Sequence, residues 1–414
     1  MGSVVEDILI VGGGLGGLCL AQGLHKAGVP FRVFERDVNS SWRAQGYRLR
    51  INGEGANALK ETLSPELWER FQQTCCSTEL GETDINAIDG SIIASRAGGG
   101  PSMKGMKPYT CDRQVLRDIL MTGIEGKISY GKELLSYEIV AGGSSVVASF
   151  QDGTTARGRF LVGADGKNSA TRQQFLPESA HQPLDTEGTC IYGKTLITPE
   201  LVERFPSRAM RWMTLVVDRT PITQTLDVDD TAVTLLLEPI RFPKTNEQFA
   251  EYMPADYMYW VLIARKHIFN LPKDRPLSKY TGEDVAALSL QITDCWDANI
   301  RSILHLQDKT QSSLLRVLSA KPDIKPWAPS DKVTVIGDAI HIMSPCGGVG
   351  AVTALVDGAN LAMTIATKGI STASIGEFEQ TMREFAGMNI RRSYIGGRKL
   401  FGQRPFEECS QYVG

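Results

Sequence analysis

This sequence predicts an α/β fold in two lobes: a parallel sheet of βαβ units, interrupted by an inserted antiparallel sheet. Three segments predict it. Gly12-Gly13-Gly14-Leu15-Gly16-Gly17 follows a short apolar run, Gly163-Ala164-Asp165-Gly166 ends another, and Gly337-Asp338 runs on through Pro345 to Gly350-Ala351. Each is a strand end that turns through glycine, the pattern of backbone brought close to a phosphate-bearing ligand.

A chain of 414 residues exceeds what one simple core holds, so two lobes are expected. The composition, 42% apolar and 22% charged, is that of an ordinary globular protein. A formal net charge of -3 provides no basic field for nucleic acid. The eight cysteines (Cys19, Cys75, Cys76, Cys111, Cys190, Cys295, Cys346 and Cys409) make no C-x-x-C or zinc-type spacing. With no leader-like N-terminus and no apolar run long enough for a membrane span, the expected compartment is the cytoplasm.

The first lobe is read from its glycines. Asp7 to Val11 is a buried-type strand, Leu18 to Ala27 a helix broken by Gly28-Val29-Pro30, and Phe31 to Glu35 the next strand. Gly12 permits the tight turn, Gly14 lets backbone approach a pyrophosphate, and Gly17 allows helix and strand to pack closely. Glu35 ends the second strand where a carboxylate accepts ribose hydroxyls. The same charge repels a 2′-phosphate, so the bound dinucleotide is FAD or NAD and not NADP.

Gly46-Tyr47-Arg48-Leu49-Arg50-Ile51 reads as a strand with two arginines on one face, suited to a diphosphate or simply to solvent. Asp112 N-caps a helix over 113–120 whose Arg113 and Arg117 share the face opposite its apolar positions, ordinarily a surface. After Asp165-Gly166 a short helix is expected over Ala170 to Phe175.

These motifs resemble, in family order and over nearly the whole chain, the class A FAD-dependent monooxygenases (the para-hydroxybenzoate and salicylate hydroxylase group). They are most similar to the soluble fungal members of secondary metabolism. The resemblance implies a Rossmann-like FAD-binding domain of the GR2 type with an inserted antiparallel-sheet substrate domain and C-terminal helices. The corresponding boundaries are 1–182 and 323–414 for the two parts of the FAD-binding domain and 183–322 for the substrate domain.

By position, Glu35 would bind the adenosine ribose, while Arg48 and Arg113 would contact the FAD diphosphate. Asp165 and Gly166 would serve both FAD and NADPH. Asp338 would meet the ribityl chain, and Pro345, Gly348, Gly350 and Ala351 would lie near the isoalloxazine. A helix from Ala351 to Ala366 would turn its N-terminus to the flavin pyrimidine, favouring a reduced anionic flavin by about 0.3–1 kcal/mol if exposed. Cys346 departs from the commoner pattern and reads as a tolerated small residue; FAD is expected to be non-covalent.

Between the motifs, Cys190 to Ile197, Met210 to Val217, Thr231 to Glu238 and Tyr257 to Arg265 read as four antiparallel strands. Helical stretches follow over Gly282 to Trp296, Ser312 to Leu318 and Ile375 to Met388. Tyr192, Trp212, Met213, Tyr257, Tyr259 and Trp260 are candidates to line an aromatic-binding cavity or to pack the sheet.

The implied chemistry is reduction of FAD by NADPH, addition of O2 at the flavin C4a, and transfer of one oxygen to an aromatic or polyketide-type, polycyclic small molecule. A base that ionises a phenol would help, and His341 and Tyr192 are the two weak candidates. Alternatives of the same fold are an epoxidase, a Baeyer–Villiger-type oxygenase or a reductase; outside it, a non-catalytic flavin-binding redox partner. No metal site is expected. Arg391, Arg392, Arg398 and Arg404 make a locally basic C-terminal segment, a solvated or dimer-contacting face, and the family resemblance leaves a homodimer open.

Overall fold

The computed structural model describes residues 7–39, 47–77, 79–98, 108–140, 142–143, 145–218, 233–243, 247–272 and 274–412. Gly46, and residues 231 and 232 at the head of one expected strand, lie outside them.

The first strand is Ile8–Val11, aliphatic throughout and at most 2% exposed. Such a segment suits the middle of a parallel sheet, covered on both faces. It pairs in parallel with Phe31–Glu35 on one side and Phe160–Gly163 on the other; Val333–Val335 and Ile128–Tyr130 extend the sheet to five strands. Alternation then divides its neighbours. Ile8 and Ile10 pack on the helices, whereas Leu9 and Val11 pack on a three-stranded antiparallel layer over 134–158. Because the strands run in parallel, Val11, Glu35, Gly163 and Val335 all end at one edge. That edge is where ligands bind in open α/β sheets.

The helix after the fingerprint spans Leu15–Lys26 and crosses the Gly350–Lys368 helix at close range. A Cβ at Gly358 would lie 2.5 Å from the Gly16 carbonyl oxygen, so only glycine permits the crossing. The last helix runs Thr372–Phe401, well beyond the expected end at Met388. Its glycines are weak helix formers, but they are needed for close approach: a Cβ at Gly387 would meet the Pro322 oxygen, and one at Gly396 the Cys346 oxygen, each at 2.4 Å. Packing overrides propensity here.

The second sheet has eight strands. Leu184–Leu196, Tyr257–Arg265, Thr234–Ile240 and Met213–Val217 correspond to the four expected. A hairpin, Gly81–Asn86 and Ile92–Ala97, joins in parallel through Met213–Val217, so residues ahead of position 182 build part of this sheet. Residues 312–318, expected to be helical, form the strand Ser313–Ser319 instead. They pair antiparallel with Leu184–Tyr192, and this ladder outweighs the local pattern.

One sheet face, with Ile191, Met258, Trp260 and Leu262, packs on the helices Gly282–Ile292 and Ala298–His305. The other, with Cys190, Tyr192, Tyr257 and Tyr259, turns toward the first lobe. Among the described residues no helix is long and apolar enough to cross a membrane.

Candidate FAD and substrate site

At the carboxyl edge, Gly12 adopts φ +112, and a Cβ there would lie 2.2 Å from the Ala164 oxygen. Only glycine makes this turn. It leaves the Leu15–Lys26 helix with Gly14 at its N-cap and no side-chain cap, and a Cβ on Gly14 would point into open space. Uncapped N–H groups beside open volume form a cradle for a pyrophosphate. A Cβ on Gly17 would lie 2.1 Å from the Gly12 oxygen, which gives that glycine its packing role.

Glu35 closes the adjoining strand at 8% exposure, with one oxygen accepting the Gly13 N–H at 2.7 Å and the other the Asp37 N–H at 2.9 Å. Each oxygen keeps lone pairs for ribose hydroxyls. Arg117 is fully buried, and its Nε donates to the Gly13 carbonyl at 3.2 Å. Its helical spacing with Arg113 suggested a solvent face; packing of the Arg113–Met121 helix on the fingerprint turns it inward.

The other two strand ends meet here. Asp165 accepts the Ser169 hydroxyl at 2.5 Å and the Thr171 N–H and hydroxyl at 3.1 and 3.2 Å. Its carboxylate therefore holds the start of its own helix, and Gly166, at φ +74, shapes the turn. Arg172 ties this loop to the next by donating to the Ala339 carbonyl at 2.7 Å.

Gly337, at φ +62, starts the turn bearing Asp338. The Asp338 carboxylate has protein packed around it yet remains open to solvent, as a group lining a deep cleft does. Burial raises its pKa; the charges of His341, Arg113 and Lys167 pull it back down. The turn itself is fixed from behind by buried Asp357, which accepts the Gly337 N–H at 2.9 Å and lies 2.5 Å from His341 Nε2. His341 is 0% exposed. It braces the turn and cannot reach a substrate as a base.

The loop over 345–350 leaves Pro345 and Gly348 exposed, with Gly350 and Ala351 in the first, uncapped turn of the following helix. Cys346 packs toward the Cys190 side of the sheet, and burial pushes its thiol up to about 12, so it stays protonated.

The wall facing this edge is aromatic. Tyr47 stacks on Tyr192 with centroids 5.0 Å apart, and Tyr192 meets Tyr259 at 6.2 Å. The Arg113 guanidinium lies 5.4 Å from the Tyr47 ring, and the Arg48 guanidinium 5.7 Å from the Tyr259 ring. Tyr192 and Tyr259 are 8% and 6% exposed. Neither hydroxyl has a hydrogen-bond partner among the described residues, so each keeps its donor for a ligand that reaches this wall. Burial raises both pKa values, which makes them donors and removes Tyr192 as a base.

The other aromatic candidates belong to the core. Trp260 lies on the far face, Trp212 packs on Gly81, and the Tyr257 hydroxyl donates to Asp112 at 2.8 Å. Met213 begins its strand half-buried. Arg48, expected at the diphosphate, is committed with Arg50 to Glu238 of the sheet. Their one-face spacing was legible; a carboxylate some 190 residues away was not.

A cradle of free N–H groups, a ribose-type carboxylate and an open Asp338 converge at one sheet edge. The residues present fit FAD, and the fold and site together define a flavoprotein of the FAD-binding α/β class. The chain belongs to the FAD binding domain family, whose model matches residues 6–188 and 316–376. It is 45% identical over 98% of its length to the dual O-methyltransferase/FAD-dependent monooxygenase elcB of Phaeosphaeria nodorum, covering 47% of that protein. It is 46% identical over 99% of its length to the similarly named CTB3 of Cercospora beticola, covering 48%. The chain thus spans about half the length of these curated relatives.

Among solved structures, a Photorhabdus luminescens protein named as an FAD-containing monooxygenase superposes with TM-score 0.75 and 27% identity, covering 95% of this chain and 99% of that one. A salicylate hydroxylase substrate complex shares the fold at TM-score 0.67 and 18% identity, over 98% and 91% of the two chains.

Proposed function

We propose that the chain is an NADPH-dependent FAD monooxygenase that inserts one oxygen atom from O2 into an aromatic or polyketide-type secondary metabolite. The observation that carries this is the cleft itself: an FAD-type sheet edge on one side and two unpartnered, protonated phenols on the other. When bound, FAD supplies the redox and oxygen chemistry. The chain's own residues bind, orient and exclude water.

Glu35 and the fingerprint N–H groups anchor the dinucleotide, Asp338 and the loop over 345–350 lie along the rest of it, and Asp357 with His341 holds the Gly337–Asp338 turn in place. Tyr192 and Tyr259 donate hydrogen bonds to oxygen substituents of the substrate, carbonyl or phenol, and the Tyr47 ring offers a stacking surface. Such a wall suits an oxygenated ring system and orients it without a protein nucleophile.

The relatives' names support the reading, because they pair FAD-dependent monooxygenation with O-methylation, a reaction that takes phenolic hydroxyls as acceptors. Only the flavin half is proposed for this chain. The domain division at 182 and 322 is retained as a proposal, with the hairpin over 81–97 added to the substrate sheet. A reducing, cytoplasmic compartment is in keeping with eight free cysteines.

The test is rapid-mixing absorbance of the purified, FAD-loaded chain with NADPH and a panel of polyphenols under anaerobic conditions. Acceleration of flavin bleaching by some compound is expected, and that compound identifies the substrate class. A flavin reduced equally fast with and without every compound would favour a redox partner without its own substrate.

A further inference from the structure

The basic C-terminal segment singled out in the sequence backs the loop over 345–350 through Gly396, which leaves its exposed arginines without a role there. We infer that the solvent face of the Thr372–Phe401 helix is an antiparallel docking surface for a second copy of this chain. Residues 377, 381, 384, 388, 391, 395 and 398 are all exposed, and their spacing alternates four and three. Residues so spaced form one continuous stripe along a helix, here facing away from the protein's own core.

One row of the stripe is Thr381, Met388 and Ile395. Met388 is 59% exposed, and Ile395, at 69%, is the most exposed large hydrophobic side chain among the described residues. The row beside it reads Glu377, Glu384, Arg391 and Arg398, two acids followed by two bases at seven-residue intervals.

This order is self-complementary in one direction only. With a two-fold axis at Met388, Met388 meets its own copy and Thr381 meets Ile395 of the partner subunit. Glu384 then faces Arg391 of the partner subunit and Arg392 of the partner subunit, and Glu377 faces Arg398 of the partner subunit. A parallel arrangement would set glutamate against glutamate and arginine against arginine. The interface is therefore isologous, as expected of a two-fold dimer.

Within the chain, Glu377 is already held by Lys368 at 2.7 Å, so the central pairs involving Glu384 carry the selectivity. Among the described residues Arg391 and Arg392 make no ion pair.

The experiment is sedimentation velocity of the FAD-loaded chain at rising concentration, with charge-reversal variants at these exposed positions. A dimer is expected. Glu384→Arg alone, and Arg391→Glu with Arg392→Glu, should each weaken it by roughly tenfold or more, because every reversal acts twice across the axis. All three changes together should restore it, a rescue that a general loss of stability could not give. Ile395→Glu should leave a monomer with unchanged FAD content. A wild-type chain that stays monomeric at every concentration would overturn the inference and give this face to another partner. So would a dimer indifferent to the reversals, or one that the triple variant fails to restore.

Discussion

Lys194 Nζ donates to Asp112 Oδ2 at 2.8 Å, which joins the eight-stranded sheet to the helix bearing Arg113 and Arg117. Asp112 is 1% exposed. Its other oxygen caps that helix at the Gln114 and Val115 N–H groups, and the Tyr257 hydroxyl shares Oδ2. A strand carrying a cleft phenol is thus fastened, two residues on, to the helix that holds the fingerprint.

Lys194→Met should therefore affect both lobes. Removing one member of a buried pair leaves Asp112 undercompensated, at a cost of about 3 kcal/mol. Denaturant unfolding should show that loss, accompanied by weaker FAD binding although Lys194 belongs to the opposite lobe. Unchanged FAD affinity would mean that the link is only structural.

Glu35→Ala removes the acceptor for Gly13 and Asp37 together with the carboxylate proposed to bind the ribose. A charged hydrogen bond contributes about 1.5–3 kcal/mol, so FAD affinity should fall by roughly ten- to a hundredfold. Flavin fluorescence titration measures it, and Glu35→Gln should fall between the two.

Tyr192→Phe and Tyr259→Phe keep shape and stacking but delete the donors. Each should raise KM for an oxygenated aromatic substrate by about two- to tenfold, as expected for a neutral hydrogen bond, and leave FAD affinity unchanged. Because these phenols titrate well above neutrality, the KM effect should be flat from pH 6 to 9, roughly the range below their ordinary pKa. A variant that loses rate with a pH-dependent profile would reinstate Tyr192 as a base.

His341 gives a pH signature of stability. Burial alone would lower its pKa, but Asp357 outweighs burial and raises it above the ordinary histidine value. A raised folded pKa contributes stability that is complete below the unfolded pKa and lost as pH rises through the folded one. Denaturation midpoints should accordingly fall as pH climbs past neutrality, and His341→Asn should flatten that slope. An unchanged slope in the variant would assign the effect to another group.

How much of this was legible follows from where the constraints lie. Gly12, Gly14, Gly17 and Glu35 are local to one βαβ unit, so spacing alone puts them at its turn, at its helix start and at the end of its second strand. The strand Tyr257–Arg265 matched its expected bounds, because nine consecutive buried positions leave a strong signal. Long-range partners could not be read. Arg48 finds Glu238, Arg117 turns inward, and Ser313–Ser319 becomes a strand because each has a distant neighbour. Asp357 was missed for the same reason: in sequence it is an acid within an apolar helix, and only the fold brings Gly337 and His341 to it.

The most direct test is to supply the FAD-loaded chain with NADPH, labelled dioxygen and a polyphenol that accelerates flavin reduction, and to weigh the product by mass spectrometry. One labelled oxygen atom in the organic product is the result this account predicts. Loss of the label to hydrogen peroxide alone, with the polyphenol recovered unchanged, would contradict it.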